Sequence, residues 1–144
     1  MKKTLTLTVA LIIAAIMALA LAGCKDPLHM TLDDFKAQAQ DKGYTVEKID
    51  DGTMEARKGS NYVIEFKVFT TVDTAKSAYS SAKNSLPSSS TGSASSDTPA
   101  YNFVKMTSGD KYYVIFRNSN TFLEVKADKQ YKSEINDFLK SIGY

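Results

Sequence analysis

The feature that most constrains this chain is a strand-like segment that occurs twice. Residues 60–67 read Ser-Asn-Tyr-Val-Ile-Glu-Phe-Lys and residues 119–126 read Ser-Asn-Thr-Phe-Leu-Glu-Val-Lys, with Ser, Asn, Glu and Lys at matching positions. Apolar and charged residues alternate in both copies, which is the pattern of a strand with one buried face. The residues expected to face the core are Ile64, Phe66 and Val68 in the first strand and Leu123 and Val125 in the second.

Elements of the same kinds surround the two copies. Periodicity and turn signals predict a helix over 32–42, strands over 44–49, 53–58 and 61–70, a helix over 72–86, strands over 101–106, 111–117 and 121–126, and a helix over 129–142. We therefore expect a single α+β domain over 31–144. Its antiparallel sheet would have about six strands from two βββα repeats, 31–86 and 100–144, preceded by a helix, with all helices packed on one face. Convergent strand-and-turn composition is the alternative to a true repeat.

The segment between the two repeats, residues 87–99, is rich in Ser, Thr and Gly and has almost no large apolar side chains. Such a composition is typical of a flexible connector. The complete layout is similar in outline to the tandem-repeat α/β folds of beta-lactamase-inhibitor-like proteins and of small outer-membrane assembly lipoproteins.

The N-terminus has the properties of an export signal. Lys2 and Lys3 precede an uninterrupted run of small and aliphatic residues from Val9 to Ala22. A membrane-spanning helix needs about 20 apolar residues, so this run is too short for a permanent span and fits the apolar region of a signal peptide.

The apolar run ends in Leu21-Ala22-Gly23-Cys24, which resembles the lipobox of bacterial lipoproteins. In that family the cysteine sulfur receives a diacylglycerol, and cleavage then makes this cysteine the N-terminus. The resemblance implies a signal peptide over 1–23, lipidation of Cys24, a tether over 24–30 and a location on the extracytoplasmic face of the cell membrane. An ordinary secretory signal with a chance cysteine is the alternative. The Gly43-Tyr44 junction and the closing Gly143-Tyr144 are also similar to those of small Gram-positive lipoproteins, and this likeness implies no activity.

Charge and composition exclude several classes of function. Without Lys2 and Lys3, basic and acidic residues are equal in number, so there is no excess of positive charge that would favour binding to nucleic acid. For the same reason, attachment to a membrane should come from lipid and not from a basic protein surface. The chain has one cysteine, Cys24, and one histidine, His29, both next to the predicted anchor. Nucleophile–histidine pairs and soft metal sites are therefore not expected in the folded part, and we predict a non-enzymatic protein without cofactors.

One predicted strand, residues 111–117, is apolar on both faces. A helix or loop over its second face would explain the pattern. The alternative is an exposed aromatic patch, and such patches often mark interaction sites. The candidate binding patch consists of Val63, Phe69, Tyr113, Ile115 and Phe122.

Three functions are compatible with these observations. The first is a membrane-anchored binding module that engages a protein, peptide or envelope polymer through the sheet. The second is an accessory protein or inhibitor of an envelope enzyme, acting through residues 87–99. The third is a small envelope hydrolase, which the sequence supports least because no catalytic pair stands out.

Overall fold

Seven strands form one antiparallel sheet in the computed structural model, which describes residues 30–144. The spatial order of the strands is β1-β2-β3-β7-β6-β5-β4, so β3 and β7 lie side by side at the centre. The predicted α+β class with an antiparallel sheet is confirmed. The elements are α1 (Leu32–Asp41), β1 (Thr45–Asp50), β2 (Thr53–Arg57), β3 (Val63–Val68), α2 (Val72–Asn84), β4 (Gly92–Asp97), β5 (Tyr101–Ser108), β6 (Lys111–Asn118), β7 (Thr121–Asp128), a 3-10 turn (Lys129–Tyr131) and α3 (Lys132–Ser141).

Helix α1 begins where the local sequence requires it. The Thr31 side chain accepts a hydrogen bond from the Asp34 backbone N–H at 3.1 Å, and the Asp34 carboxylate accepts one from the Thr31 backbone N–H at 3.2 Å. This reciprocal capping box satisfies two donors that would otherwise lack partners at a helix start. At the other end the chain turns at Gly43, whose positive φ of 78° is strained for residues with a Cβ.

The main core lies on the face of the sheet that α1 and α3 cover. Phe35 of α1 stacks on Phe66 of β3 with ring centroids 4.6 Å apart, and Phe138 of α3 meets Phe35 edge-on at 6.3 Å. Val68, one of the five residues predicted to face the core, is half-buried against this cluster, and the other four are buried, which confirms that expectation. The four buried residues are Ile64, Phe66, Leu123 and Val125.

A second, smaller core lies on the opposite face, where α2 packs. Tyr79 of α2 is buried together with Ile115 of β6 and Phe122 of β7. The prediction that all helices share one face is therefore wrong. Since β6 is apolar on both sides, each side needs a cover. The helices α1 and α3 cover the side of the main core, and α2 covers the opposite side.

The predicted count of about six strands is also wrong, because β4 forms inside the segment expected to be a flexible connector. Gly92–Asp97 reads Gly-Ser-Ala-Ser-Ser-Asp and has no apolar alternation that would reveal a strand. It is held by backbone pairing with β5 across all six of its residues. Strand β4 therefore depends on a neighbour that sequence periodicity does not report.

The expectation of two equivalent βββα repeats is corrected by the same observations. The duplicated segments pair with each other in the sheet, with Glu65 opposite Glu124. However, the second half carries an additional strand, and α2 and α3 lie on opposite faces. The two halves are thus not copies of one arrangement.

The predicted signal peptide, Cys24, most of the predicted tether and His29 lie outside the described residues. Within residues 30–144, no helix is both long and apolar enough to cross a membrane.

Candidate functional site: the open half of the second sheet face

The five residues of the predicted patch fall into two groups. Ile115 and Phe122 are only 1% and 3% exposed, because α2 lies over them. Phe69 is half-buried beside them, with its ring centroid 6.5 Å from that of Phe122. These three residues belong to the second core, so Ile115 and Phe122 are not exposed as the patch hypothesis assumed. Val63 and Tyr113 are half-buried on the neighbouring part of the same face.

We call this neighbouring part the open half-face. It is the second face of β1, β2, β3 and the adjoining part of β7, and among the described residues α2 packs mainly against β6 and β7 instead. Alternation along each strand places its side chains there. The open half-face consists of Glu47, Glu55, Arg57, Val63, Glu65, Lys67, Glu124 and Lys126, with Tyr113 of β6 at its border.

Four glutamates cross the open half-face in one row. The strand register pairs Glu47 with Glu55, Glu55 with Glu65, and Glu65 with Glu124. Neighbouring strands are about 4.8 Å apart, so the row extends over about 14 Å. Like charges directly opposite each other on adjacent strands are destabilising, which makes this row a cost to the fold.

Basic side chains compensate part of this charge. Lys67 forms an ion pair with Glu65 at 2.7 Å, and Arg57 pairs with Glu55. Burial raises the pKa of Glu124, Glu65 raises it further, and Lys67 lowers it. The carboxylates follow the sheet in a line, and residues 30–144 contain no group of three or more acidic, His or Cys side chains placed to hold a metal ion.

The border of the open half-face is formed by an aromatic ring. The Lys126 ammonium lies 5.8 Å from the ring centroid of Tyr113, within the range of a cation–π contact. Tyr113 therefore presents an amphipathic side chain beside the charged row. The surface that remains of the predicted patch is mostly charged rather than aromatic.

A separate cleft of about 450 Å³ lies between the C-terminal end of α1 and α3. The Tyr44 and Tyr62 hydroxyls are 2.7 Å apart at this end of the domain, and burial raises the pKa of both. Lys58 donates a hydrogen bond to the Lys42 carbonyl at 2.9 Å and lies 3.8 Å from Glu134. Sequence reasoning missed this group, since its members are far apart in the chain and share no motif.

Arg117 is a second feature that sequence reasoning missed. It is fully buried, and it donates hydrogen bonds to the carbonyls of Ser119, Thr98 and Pro99 at 3.0, 3.3 and 2.9 Å and to the Asn102 side chain. Burial lowers the pKa of the Arg117 guanidinium. All of these acceptors are neutral backbone or amide oxygens. The hydrogen bonds of Arg117 therefore stabilise the turn between β4 and β5 and do not bind an acidic group.

The side-chain amide of Asn102 connects the buried Arg117 to Asp97 at the surface. Asn102 donates to Asp97 at 3.1 Å, and Asp97 also accepts from Tyr79 at 3.1 Å and from Lys83 at 2.8 Å. The hydrogen bond from Lys83 is the main cause that lowers the pKa of Asp97. These contacts join α2, β4 and β5 at one end of the sheet.

The described fold is similar to one solved structure, a GTP binding regulator from Thermotoga maritima. The TM-score is 0.52 at 14% sequence identity, over 78% of this chain and 84% of that chain. At this identity the likeness concerns the fold alone. No protein-family model matches the sequence, and neither does any curated protein.

Proposed function

We propose that this chain is a membrane-anchored lipoprotein that acts on the extracytoplasmic side as a non-enzymatic binding module. The binding surface would be the open half-face, and its partner a cationic segment of an envelope protein or peptide. The observation that carries the proposal is the row of four glutamates, in register across four strands, on a part of the sheet that no described helix covers.

A charged sheet face that merely meets water needs no such row. Solvated strands commonly carry charges of mixed sign, and opposite charges on neighbouring strands would stabilise the sheet. Here one sign continues over four strands, and the two ion pairs on this surface engage Glu55 and Glu65. Arrangements that oppose local stability are concentrated at functional sites. A partner with amines or guanidinium groups would convert the cost into favourable contacts.

The anchor is the second part of the proposal. It is supported by the apolar leader and by the lipobox-like Leu21–Cys24 segment. A diacyl modification gives stable attachment, whereas a single acyl chain binds membranes only marginally. Replacement of Cys24 by Ala should therefore abolish labelling with radioactive palmitate. The chain should then either leave the membrane fraction or accumulate as the uncleaved precursor. Labelling of the Cys24→Ala chain would contradict the assignment.

Site-specific photo-crosslinking on intact cells tests the binding surface. A photoreactive residue at Glu55, within the row, should give a discrete adduct with one envelope protein. The same residue at Lys36, an exposed position of α1, serves as the matched control and should give none. Adding Glu47→Gln and Glu124→Gln, which remove charge with little change in volume, should weaken the Glu55 adduct, and so should increased salt. Equal adducts from Glu55 and Lys36 would refute the site.

A further inference from the structure

The two edges of the sheet are protected to different degrees. The edge strand β1 carries Glu47, Lys48 and Asp50, and its register with β2 shifts between Lys48 and Asp50. Charges and irregularities of this kind keep an edge strand from pairing with other chains. The edge strand β4 pairs with β5 without a register shift, and Asp97 at its end is its only charged residue. Among the described residues, β4 is thus the unprotected edge.

The turn between β4 and β5 shows which backbone groups of β4 point away from β5. Thr98 donates to the Tyr101 carbonyl at 2.8 Å, so these two residues form a hydrogen-bonded pair. Because such pairs alternate along antiparallel strands, the inward-bonding residues of β4 are the even-numbered ones. The backbone N–H and C=O groups of Ser93, Ser95 and Asp97 therefore point away from β5.

The outward edge is also held firmly in place. Arg117 is fully buried and donates hydrogen bonds to the carbonyls of Thr98 and Pro99, which directly follow β4. The Asp97 carboxylate is bound by Lys83, Tyr79 and Asn102 of its own chain. An edge whose geometry is fixed before binding loses less conformational entropy when a partner strand arrives.

We propose that β4 pairs antiparallel with β4 of a second copy of this chain, about a two-fold axis at Ser95. In this register Ser95 lies opposite Ser95 of the other copy, and Ser93 lies opposite Asp97. The outward groups of each copy then meet those of its partner, and the two Asp97 charges avoid direct opposition. An isologous contact of this kind closes on itself and leads to a dimer, not to a fibre.

The contact is small, and this determines where it forms. Pairing along one six-residue edge strand buries much less surface area than a stable interface needs, which is about 1,000 Å². The dimer would therefore be weak in dilute solution. Confinement of two copies to one membrane raises their effective concentration and compensates for a weak contact. To this extent the inference rests on the proposed anchor, whereas the pairing itself does not.

Disulfide formation in the full chain tests the pairing. The sequence has one cysteine, Cys24, so a Ser95→Cys chain carries one additional thiol. In a bacterium that processes lipoproteins, mild oxidation should convert Ser95→Cys to a dimer, because residues facing each other across antiparallel strands lie within disulfide reach. The unmodified chain and Thr45→Cys, on the other edge, should stay monomeric.

A second variant separates pairing from folding. Ser95→Pro removes an outward N–H that β5 does not use, so β4 should keep its own ladder. Cross-linking of Ser93→Cys by a bis-maleimide that spans about 14 Å should fall roughly tenfold when Ser95→Pro is added. Cross-linking that is absent at Ser95→Cys, equal at Thr45→Cys or directed to another protein would overturn the proposal. Separating membrane from soluble material in the same sample shows independently whether the chain is anchored. Cross-linking is then measured in whichever fraction contains the chain, so a failure of the anchor and a failure of the pairing can be told apart.

Discussion

Glu65 and Glu124 lie directly opposite each other on β3 and β7, the two strands at the centre of the sheet. The same pair joins the two duplicated segments and forms one end of the glutamate row. Burial raises the pKa of Glu124, and the Glu65 charge raises it further. The folded state consequently holds the Glu124 proton more tightly than the unfolded chain does.

This difference predicts how stability depends on pH. Because the pKa of Glu124 is raised in the folded state, the free energy of unfolding should fall as pH rises from the ordinary glutamate range through the raised value. Glu124→Gln should remove this contribution and increase stability at pH 7 by about 0.2–1 kcal/mol, the range for cross-strand charge pairs. Urea unfolding between pH 4 and 8 measures the effect. An identical pH profile in Glu124→Gln and the parent would contradict this account.

The buried hydroxyl pair of Tyr44 and Tyr62 predicts a non-additive double mutant. Tyr62→Phe leaves the Tyr44 hydroxyl, which is in a residue only 5% exposed, without its 2.7 Å partner. The cost should be about 1–3 kcal/mol. Tyr44→Phe together with Tyr62→Phe should cost less than the sum of the single changes, since no hydroxyl is then left unpaired. Additive unfolding free energies would show that the pair contributes no coupling.

Arg117 predicts a local as well as a global effect. Arg117→Met should destabilise the domain by about 3 kcal/mol or more, because it removes a buried guanidinium together with its hydrogen bonds to three carbonyls and to the Asn102 side chain. Arg117→Lys keeps the charge but not the forked geometry and should recover only part of this loss. Hydrogen exchange of the Thr98 amide, which donates to Tyr101, should accelerate first. Unchanged exchange at Thr98 in Arg117→Met would contradict the role assigned to the guanidinium.

Phe122 and Tyr113 should respond differently to truncation, although the sequence placed them in one patch. Phe122→Ala removes a ring that α2 covers and should cost about 3–5 kcal/mol of unfolding free energy. Tyr113 is only half-buried, so Tyr113→Ala should cost clearly less. Thermal unfolding of the two variants decides the matter. Similar losses in both would indicate that α2 does not cover Phe122 as described.

The elements that could be predicted from the sequence are those with their own periodic signal. Alternation identified β3 and β7 and the core positions Ile64 and Leu123, and the helix predicted over 32–42 starts at the residue where α1 starts. The sequence also showed that β6 is apolar on both sides, which either a cover over the second face or an exposed patch would explain. What it did not show is which helix provides each cover, because an amphipathic stripe indicates that a helix is buried without indicating against which face.

The remainder of the fold and of the site depends on partners distant in sequence. Strand β4 has no apolar alternation and exists through its pairing with β5. The glutamate row became visible only through the strand register, because Glu47 and Glu124 belong to strands from different halves of the chain. The sequence placed Arg117 only at the end of a strand that is apolar on both faces, whereas in the fold it is fully buried and donates hydrogen bonds to Thr98, Pro99 and Ser119.

The position of α2 has a consequence for how this domain can vary. Along β6 and the part of β7 around Phe122, helices cover the sheet from both sides, and most substitutions there will disturb packing. Over β1, β2 and β3, only one side is packed, and the charges of the other side can change at small cost to folding. Homologous chains are thus expected to keep the doubly covered strands similar and to diversify the open ones, so that one scaffold can acquire different partners.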